Sequence, residues 1–191
     1  MLFPTLETKK LKLIEITPIH AESLFEILSL EEVTRYYGTD TFTSIEEAKK
    51  LIDIFQKNFY EKRSMRWGIV LKKNNKFIGT LGLNGLQLKN KKAEIGYEIH
   101  PSYWRKGYTS EAINEVLRYS YLELELNRIG AVVYLENEAS SNLLEKLGFR
   151  KEGVLRDYLF QNNSYHTTSM FSLLKREWEM LTAESLGFIV K

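Results

Sequence analysis

The sequence predicts a single α+β domain spanning residues 1–191, with strands and helices mixed along one chain. Three observations carry that expectation. The hydrophobic periodicity switches repeatedly between two and 3.6. A strand, a helix and a strand follow one another between residues 93 and 135. The chain has 191 residues, 43% of them hydrophobic, which suits one substantial core and is short for two.

The elements follow in order. Lys10 to Thr17 alternates as a strand, and Thr17-Pro18 then supplies a cap and a first-turn proline for a helix reaching Leu30, with Ala21, Leu24, Phe25 and Leu28 on one face. Ser44-Ile45-Glu46-Glu47 has capping-box spacing, and Leu51, Ile52, Phe55 and Phe59 extend a second helix to about Arg63. Arg35-Tyr36-Tyr37-Gly38 forms an aromatic loop between them. Trp67 to Lys72 and Lys76 to Leu83 read as a hairpin around Lys73-Asn74-Asn75. In the next strand, Ala93 to His100, alternation puts Ile95, Tyr97 and Ile99 on one face and Glu94, Gly96, Glu98 and His100 on the other. A helix with the stripe Ile113, Val116, Leu117, Tyr121 and Leu124 leads to the strand Ile129 to Leu135. Asn137 caps a short helix, Glu138 to Leu147, that Gly148 ends. Strands near Arg150 to Phe160 and Tyr165 to Leu174 flank Asn162-Asn163-Ser164, and a last helix runs from Lys175 to about Ser185.

Composition excludes several classes. Lys+Arg 27 against Asp+Glu 25 leaves a net charge of +2, without the surplus of a protein held by phosphate backbones, so no direct nucleic-acid partner is expected. The absence of cysteine excludes disulfides, thiolate metal sites and any acyl group carried on a protein thiol. His20, His100 and His166 are dispersed without the spacing of a zinc pair, so no metal is expected. No segment approaches the ~20 apolar residues of a membrane span, so no membrane partner and a cytoplasmic location are expected. A homo-oligomer is compatible with all of this.

The stretch that carries chemistry is Ile99-His100-Pro101-Ser102-Tyr103-Trp104-Arg105-Lys106-Gly107-Tyr108-Thr109-Ser110-Glu111-Ala112, which joins a strand to a helix. Free N–H groups at a helix start, the macrodipole and two adjacent cations make a concave anion site suited to a pyrophosphate, and Gly107 lets backbone approach it. Taken alone, the stretch also fits an ordinary turn with solvated Arg105 and Lys106.

Ala93-Glu94-Ile95-Gly96-Tyr97, Tyr103 to Tyr108, Asn137 to Phe149, and Glu152-Gly153-Val154-Leu155-Arg156-Asp157 with Tyr165 occur here in one order. In this order the sequence resembles the GNAT superfamily of acyl-CoA N-acyltransferases, and most closely its branch of ribosomal-protein N-terminal acetyltransferases. The resemblance implies a twisted, mostly antiparallel seven-stranded sheet whose fourth and fifth strands splay apart, with acetyl-CoA in the cleft. By the same analogy, backbone amides from Trp104 through Arg105, Lys106, Gly107 and Tyr108 to Thr109 hold the pyrophosphate, and Arg105 and Lys106 add charge. Tyr97, Glu98 and Ile99 offer strand-edge groups to the pantetheine arm. Asn137 bonds an amide of that arm, and Asn142 belongs to the same binding element. Trp104 and Thr109 depart from the residues usual in the superfamily, and Leu144 stands where many relatives carry an acidic tyrosine.

With no cysteine, the simplest route is direct attack by a bound amine on the thioester inside a ternary complex. Deprotonating the amine at pH 7 takes about 1.4 kcal/mol for an α-amino group and about 4.6 kcal/mol for a lysine, so an N-terminal substrate needs little help. Glu94 is the first candidate for general base and Glu98 the second; as solvated strand residues, both would do nothing chemical. Ser140 is the candidate acid, with helix capping as its other role. Arg35, Tyr36, Tyr37 and Trp67 are candidates for the acceptor pocket, with core packing as the other reading and the favoured one for Trp67. Lys89-Asn90-Lys91-Lys92 reads as a solvated turn. The expected acceptor is a primary amine, either a ribosomal or other protein N-terminus or a small amine or aminoglycoside. The rival readings are an acyl-CoA-binding module without chemistry and a structural partner of the ribosome.

Overall fold

The computed structural model describes residues 2–185. β1 (Leu6–Glu7) and β2 (Leu11–Glu15) lead through a 3-10 turn at Pro18–His20 into α1 (Ala21–Leu28) and α2 (Glu31–Thr34). After α3 (Ile45–Tyr60) come β3 (Met65–Leu71), β4 (Phe77–Gln87) and β5 (Lys92–Ile99). The chain continues as α4 (Tyr108–Leu122), β6 (Arg128–Tyr134), α5 (Glu138–Lys146), β7 (Arg150–Gln161), β8 (Ser164–Leu174) and α6 (Lys175–Ser185).

The eight strands form one sheet in the order β1-β2-β3-β4-β5-β6-β8-β7, antiparallel except between β5 and β6. The count exceeds the expected seven by the two-residue β1, whose shortness left no alternation to read. The brief α2 also falls in a segment expected to be part of a loop. The first helix ends at Leu28, two residues early, because Ser29 and Leu30 leave the helical path before α2.

Local chemistry explains most boundaries. Ser44 and Glu47 form a reciprocal capping box at the start of α3. At the Pro18 turn, His20 takes the glutamate's part, its Nδ1 accepting from the Thr17 N–H at 3.0 Å. Gly148, at φ +89°, ends α5 in the left-handed region, and the Phe149 N–H returns to the Leu144 carbonyl. Asn162 and Asn163, both at positive φ, turn β7 into β8.

Both sheet faces are covered. On one, α4 buries Ala112, Ile113, Val116, Leu117 and Tyr121 against Trp67, Ile69, Leu81, Ile95 and Ile129. On the other, Leu24, Leu28 and Ile52 of α1 and α3 meet Ile16, Val70 and Phe77. Burial of each such aliphatic side chain contributes roughly 1.5–3 kcal/mol. β3 is buried along its whole length, so its sequence reads as a continuous apolar run with one charge, Arg66.

The pairing of β5 with β6 covers three residues, Lys92 to Glu94 against Arg128 to Gly130. Beyond them each strand keeps its outer neighbour: β5 stays on β4 to the pair Ile99–Gly79, and β6 stays on β8 to Tyr134–Thr168. The sheet therefore opens into a wedge between two well-paired blocks.

Candidate active site

A cavity of about 520 Å³ occupies the wedge. Four consecutive residues from each strand line it, Glu94 to Tyr97 of β5 and Ala131 to Tyr134 of β6. Consecutive residues point to opposite faces of a strand, so the cavity passes through the sheet rather than lying on it. Tyr36, Tyr37, Phe42 and Phe55 form an aromatic wall, and Asn137, Ser140 and Leu144 of α5 form another.

The aromatic wall is held from a distance. Buried Gln161, at the end of β7, donates through Nε2 to the carbonyls of Thr34 at 2.9 Å and Thr39 at 2.6 Å, and its Oε1 accepts from Tyr134 Oη. The Asn162 N–H donates to Asp40 Oδ1. The loop carrying Tyr36 and Tyr37 is thus pinned to the β7–β8 hairpin. Arg35 is exposed and does not line the cavity. Trp67 is likewise no pocket residue: it is fully buried against α4, and its indole N–H donates to the Pro4 carbonyl.

The two strand carboxylates part company. Glu94 lines the cavity, beside Gly130, where an added Cβ would lie 3.3 Å from the Glu94 side chain. Glu98 is buried on the same face, ion-paired with Arg66 and bonded to the Thr80 hydroxyl. Arg66 also donates to Thr80 Oγ1 at 2.7 Å, the Gly96 carbonyl at 3.3 Å and Tyr37 Oη at 3.3 Å, between the rings of Tyr37 and Phe55. Gly82 leaves room for it, since a Cβ there would meet the Arg66 side chain at 2.6 Å. Burial pushes the Glu98 carboxyl above its ordinary range, against the pull of Arg66 and Thr80. For Arg66 burial is the largest influence and opposes the charge, but its neighbours, Glu98 first, outweigh it and raise the guanidinium. Of the two candidate bases, Glu94 and then Glu98, only the first lines the cavity, and Glu98 is buried rather than solvated. Glu98 is not a cavity residue, because its oxygens are occupied by Arg66 and Thr80.

The turn before α4 has the form of an anion cradle. Arg105 at φ +58° and Gly107 at φ +80° bend the chain, and the first N–H groups of α4 lack intrahelical acceptors. Two expected groups are already engaged. The Trp104 N–H closes the preceding turn on the Pro101 carbonyl, and the Trp104 indole donates to the Ile99 carbonyl at 2.6 Å. Trp104 therefore has no free amide, and one lone pair of the Ile99 carbonyl is taken. Lys106 Nζ reaches the Ser102 carbonyl, while Arg105 is exposed. The unpaired edge of β5, the amides of residues 105–109 and Arg105 still match, in chemistry, an extended polar chain that ends in a doubly charged pyrophosphate.

On α5, Asn137 Oδ1 accepts from the Ser140 N–H at 3.1 Å, so the cap is Asn137 and not Ser140. The Ser140 hydroxyl lies 2.7 Å from Tyr97 Oη. Asn142 is exposed and outside the cavity. Among the described residues, no group of three His, Asp or Glu side chains is placed to hold a metal, and no helix is long and apolar enough to cross a membrane. Sequence reasoning missed Arg66, Asn84 and the Tyr97 hydroxyl as cavity groups. The Arg66 charge inside an apolar strand was a legible signal of a buried ion pair; Tyr97 and Ser140, 43 positions apart, gave none.

Comparisons with known proteins agree with this geometry. The Acetyltransferase (GNAT) domain family matches residues 10–150. The chain is 48% identical over 174 residues to an uncharacterized N-acetyltransferase of Bacillus subtilis, YoaA, covering 91% of this chain and 98% of that protein. It is 42% identical over 101 residues to a candidate ribosomal N-acetyltransferase of the same organism, YdaF, covering 53% and 55% of the two chains. It is 24% identical to the spermidine N(1)-acetyltransferase of Escherichia coli, over 86% and 88%. A GNAT-family acetyltransferase structure from Bacillus anthracis superposes with a TM-score of 0.80 at 25% identity, covering 91% of this chain and all of that one. A wedge between diverging strands, an amide cradle at the start of α4 and this coverage together place the chain in the GNAT acetyltransferase family, as an N-acetyltransferase.

Proposed function

We propose that the enzyme acetylates an amine bearing a single charge, in the manner of a protein N-terminus, with Glu94 as general base. The observation that carries this reading is the charge content of the cavity. Glu94 is the one carboxylate lining it among the described residues, and Arg66 already holds Glu98. A polyamine or aminoglycoside brings several cations, each of which needs an opposite charge once desolvated. Tyr36, Tyr37, Phe42 and Phe55 instead offer apolar and aromatic surface, which suits the first side chains of a peptide. The low deprotonation cost of an α-amine, about 1.4 kcal/mol at pH 7, is within reach of one carboxylate acting directly or through a water.

In this reading acetyl-CoA is the donor. The amides of residues 105–109 and Arg105 bind its pyrophosphate, the free edge of β5 and Asn137 take the pantetheine arm, and Ser140 faces the leaving sulfur. Glu98 positions rather than reacts, since it holds Arg66 and, through it, the Gly96 carbonyl and Tyr37. The likeness to YdaF supports a ribosomal-protein N-terminus as the acceptor, and hence a cytoplasmic place of action.

Thiol release from acetyl-CoA, measured against peptides beginning with Ala or Ser, polyamines and aminoglycosides, tests the proposal. Peptides are expected to give the highest kcat/KM, and a preference for polyamines would refute the acceptor assignment.

A further inference from the structure

The position on α5 where many relatives carry an acidic tyrosine is Leu144, fully buried, so no phenol enters the cavity from there. One enters from the opposite wall. Tyr97 Oη and Ser140 Oγ are 2.7 Å apart, both residues line the cavity, and their contact joins β5 to α5 where β5 and β6 no longer pair.

Proton accounting gives this contact a direction. The phenol is largely buried, and desolvation pushes it up to about 12 against the opposing bond from Ser140, so Tyr97 keeps its hydrogen. Ser140 Oγ is the only partner found for that hydroxyl among the described residues. A serine hydroxyl accepts through its lone pairs and has one hydrogen to give. When Tyr97 donates to Ser140 Oγ, the serine hydrogen is released toward the cavity. The Asn137 cap holds the Ser140 main chain, so the hydroxyl is fixed from both sides.

We infer that Tyr97 is a positioning residue that orients Ser140 as the hydrogen-bond donor to the departing sulfur, supplying from β5 what α5 lacks at Leu144. The inference rests on the acyl-transfer reading above. The ammonium first loses one proton to solvent by way of Glu94. The neutral amine then attacks, the nitrogen–carbon bond forms and the carbon–sulfur bond breaks, the electron pair stays on sulfur, and the second nitrogen proton, taken by Glu94, ends on the thiol through water. Neither Tyr97 nor Ser140 ionises. Their contribution is a charge-assisted hydrogen bond to sulfur, present only as negative charge develops there.

The test is Tyr97→Phe, which keeps the ring and its packing and removes the hydroxyl. Turnover should fall about tenfold, the loss expected of one hydrogen bond, with the acetyl-CoA dissociation constant by calorimetry unchanged. A second readout needs no turnover: the ultraviolet absorbance of the thiolate of bound CoA, followed against pH. Because a donor to the charged form favours it, the thiol should titrate about one pH unit lower on the wild-type protein than on Tyr97→Phe. Ser140→Ala should raise that titration similarly, and the double variant should be no worse than Ser140→Ala alone, since the two act as a unit. Equal titration on wild type and Tyr97→Phe, or additive losses in the double variant, would overturn the inference. Wild-type protein that binds CoA but transfers to no amine would instead overturn the acyl-transfer reading, while the CoA titration would still report the Tyr97–Ser140 donor.

Discussion

The two ends of the β5–β6 pair are built from the same strands and do opposite things. At the closed end, Lys92 to Glu94 hydrogen-bond to Arg128 to Gly130, and buried Ala93 and Ile129 join the core under α4. At the open end, Ile95 to Tyr97 and Ala131 to Tyr134 face a cavity, and main-chain groups that a sheet would satisfy are left for a ligand. Glu94 sits at the boundary, the last residue of the ladder and a wall of the cavity. Its main chain is held by the paired end while its side chain lines the open one.

The largest effect is expected at the floor of the open end, formed by the buried Arg66–Glu98 pair. Glu98→Ala leaves the Arg66 guanidinium buried without its partner, a loss of about 3–5 kcal/mol that thermal melts would register as a large drop in Tm. An unchanged Tm would mean that the pair does not hold the floor. Next in size, Glu94→Gln should lower turnover on the order of 100-fold, the smaller end of what general bases contribute, with acetyl-CoA affinity intact. Loss of affinity instead would make Glu94 part of the binding surface. Asn137→Ala removes the α5 cap, costing about 1 kcal/mol of stability; weaker acetyl-CoA binding in calorimetry is also expected, and an unaltered dissociation constant would remove Asn137 from the pantetheine site.

The smallest effect belongs to the closed end. Arg128 pairs with Glu152, which also accepts from Ser172 Oγ, and these bonds, Arg128 first, hold the Glu152 carboxyl near 2, below its ordinary 4.5. A lowered carboxyl contributes stability that is complete above its unfolded value and disappears as pH falls from about 4.5 toward 2. Glu152→Gln should therefore lower stability modestly at neutral pH and flatten the acid limb, the variant and the wild type converging as pH falls toward 2. The pair is solvent-exposed, so salt should diminish the difference. A Gln variant whose melts track the wild type at every pH would show that the closed end is held by its ladder alone.

Signals confined to a few neighbours were legible. The Ser44–Glu47 box, Asn137 before α5 and the left-handed Gly148 after it are all fixed by contacts within a turn. Side chains meeting across the fold were not. Arg66 finds Glu98 32 positions away, Tyr97 finds Ser140 43 away, and Gln161 reaches Thr34 across 127. Alternation correctly put Glu94 and Glu98 on one face, yet it could not tell that Arg66 covers one and leaves the other open. The bend before α4 was likewise readable, but the use of Trp104 to fill the Ile99 carbonyl depends on where the indole lands.

The sequence by itself determined the order of elements, their caps, the mixed α+β class and the motif series that marks the family, because short-range hydrogen bonds and hydrophobic period act over a few residues. Only the tertiary structure decided which carboxylate is free, which phenol faces the cavity and how far β5 and β6 stay paired. Those outcomes depend on burial and on partners brought together from distant positions, and the cost of leaving a buried charge or hydroxyl without one selects among them.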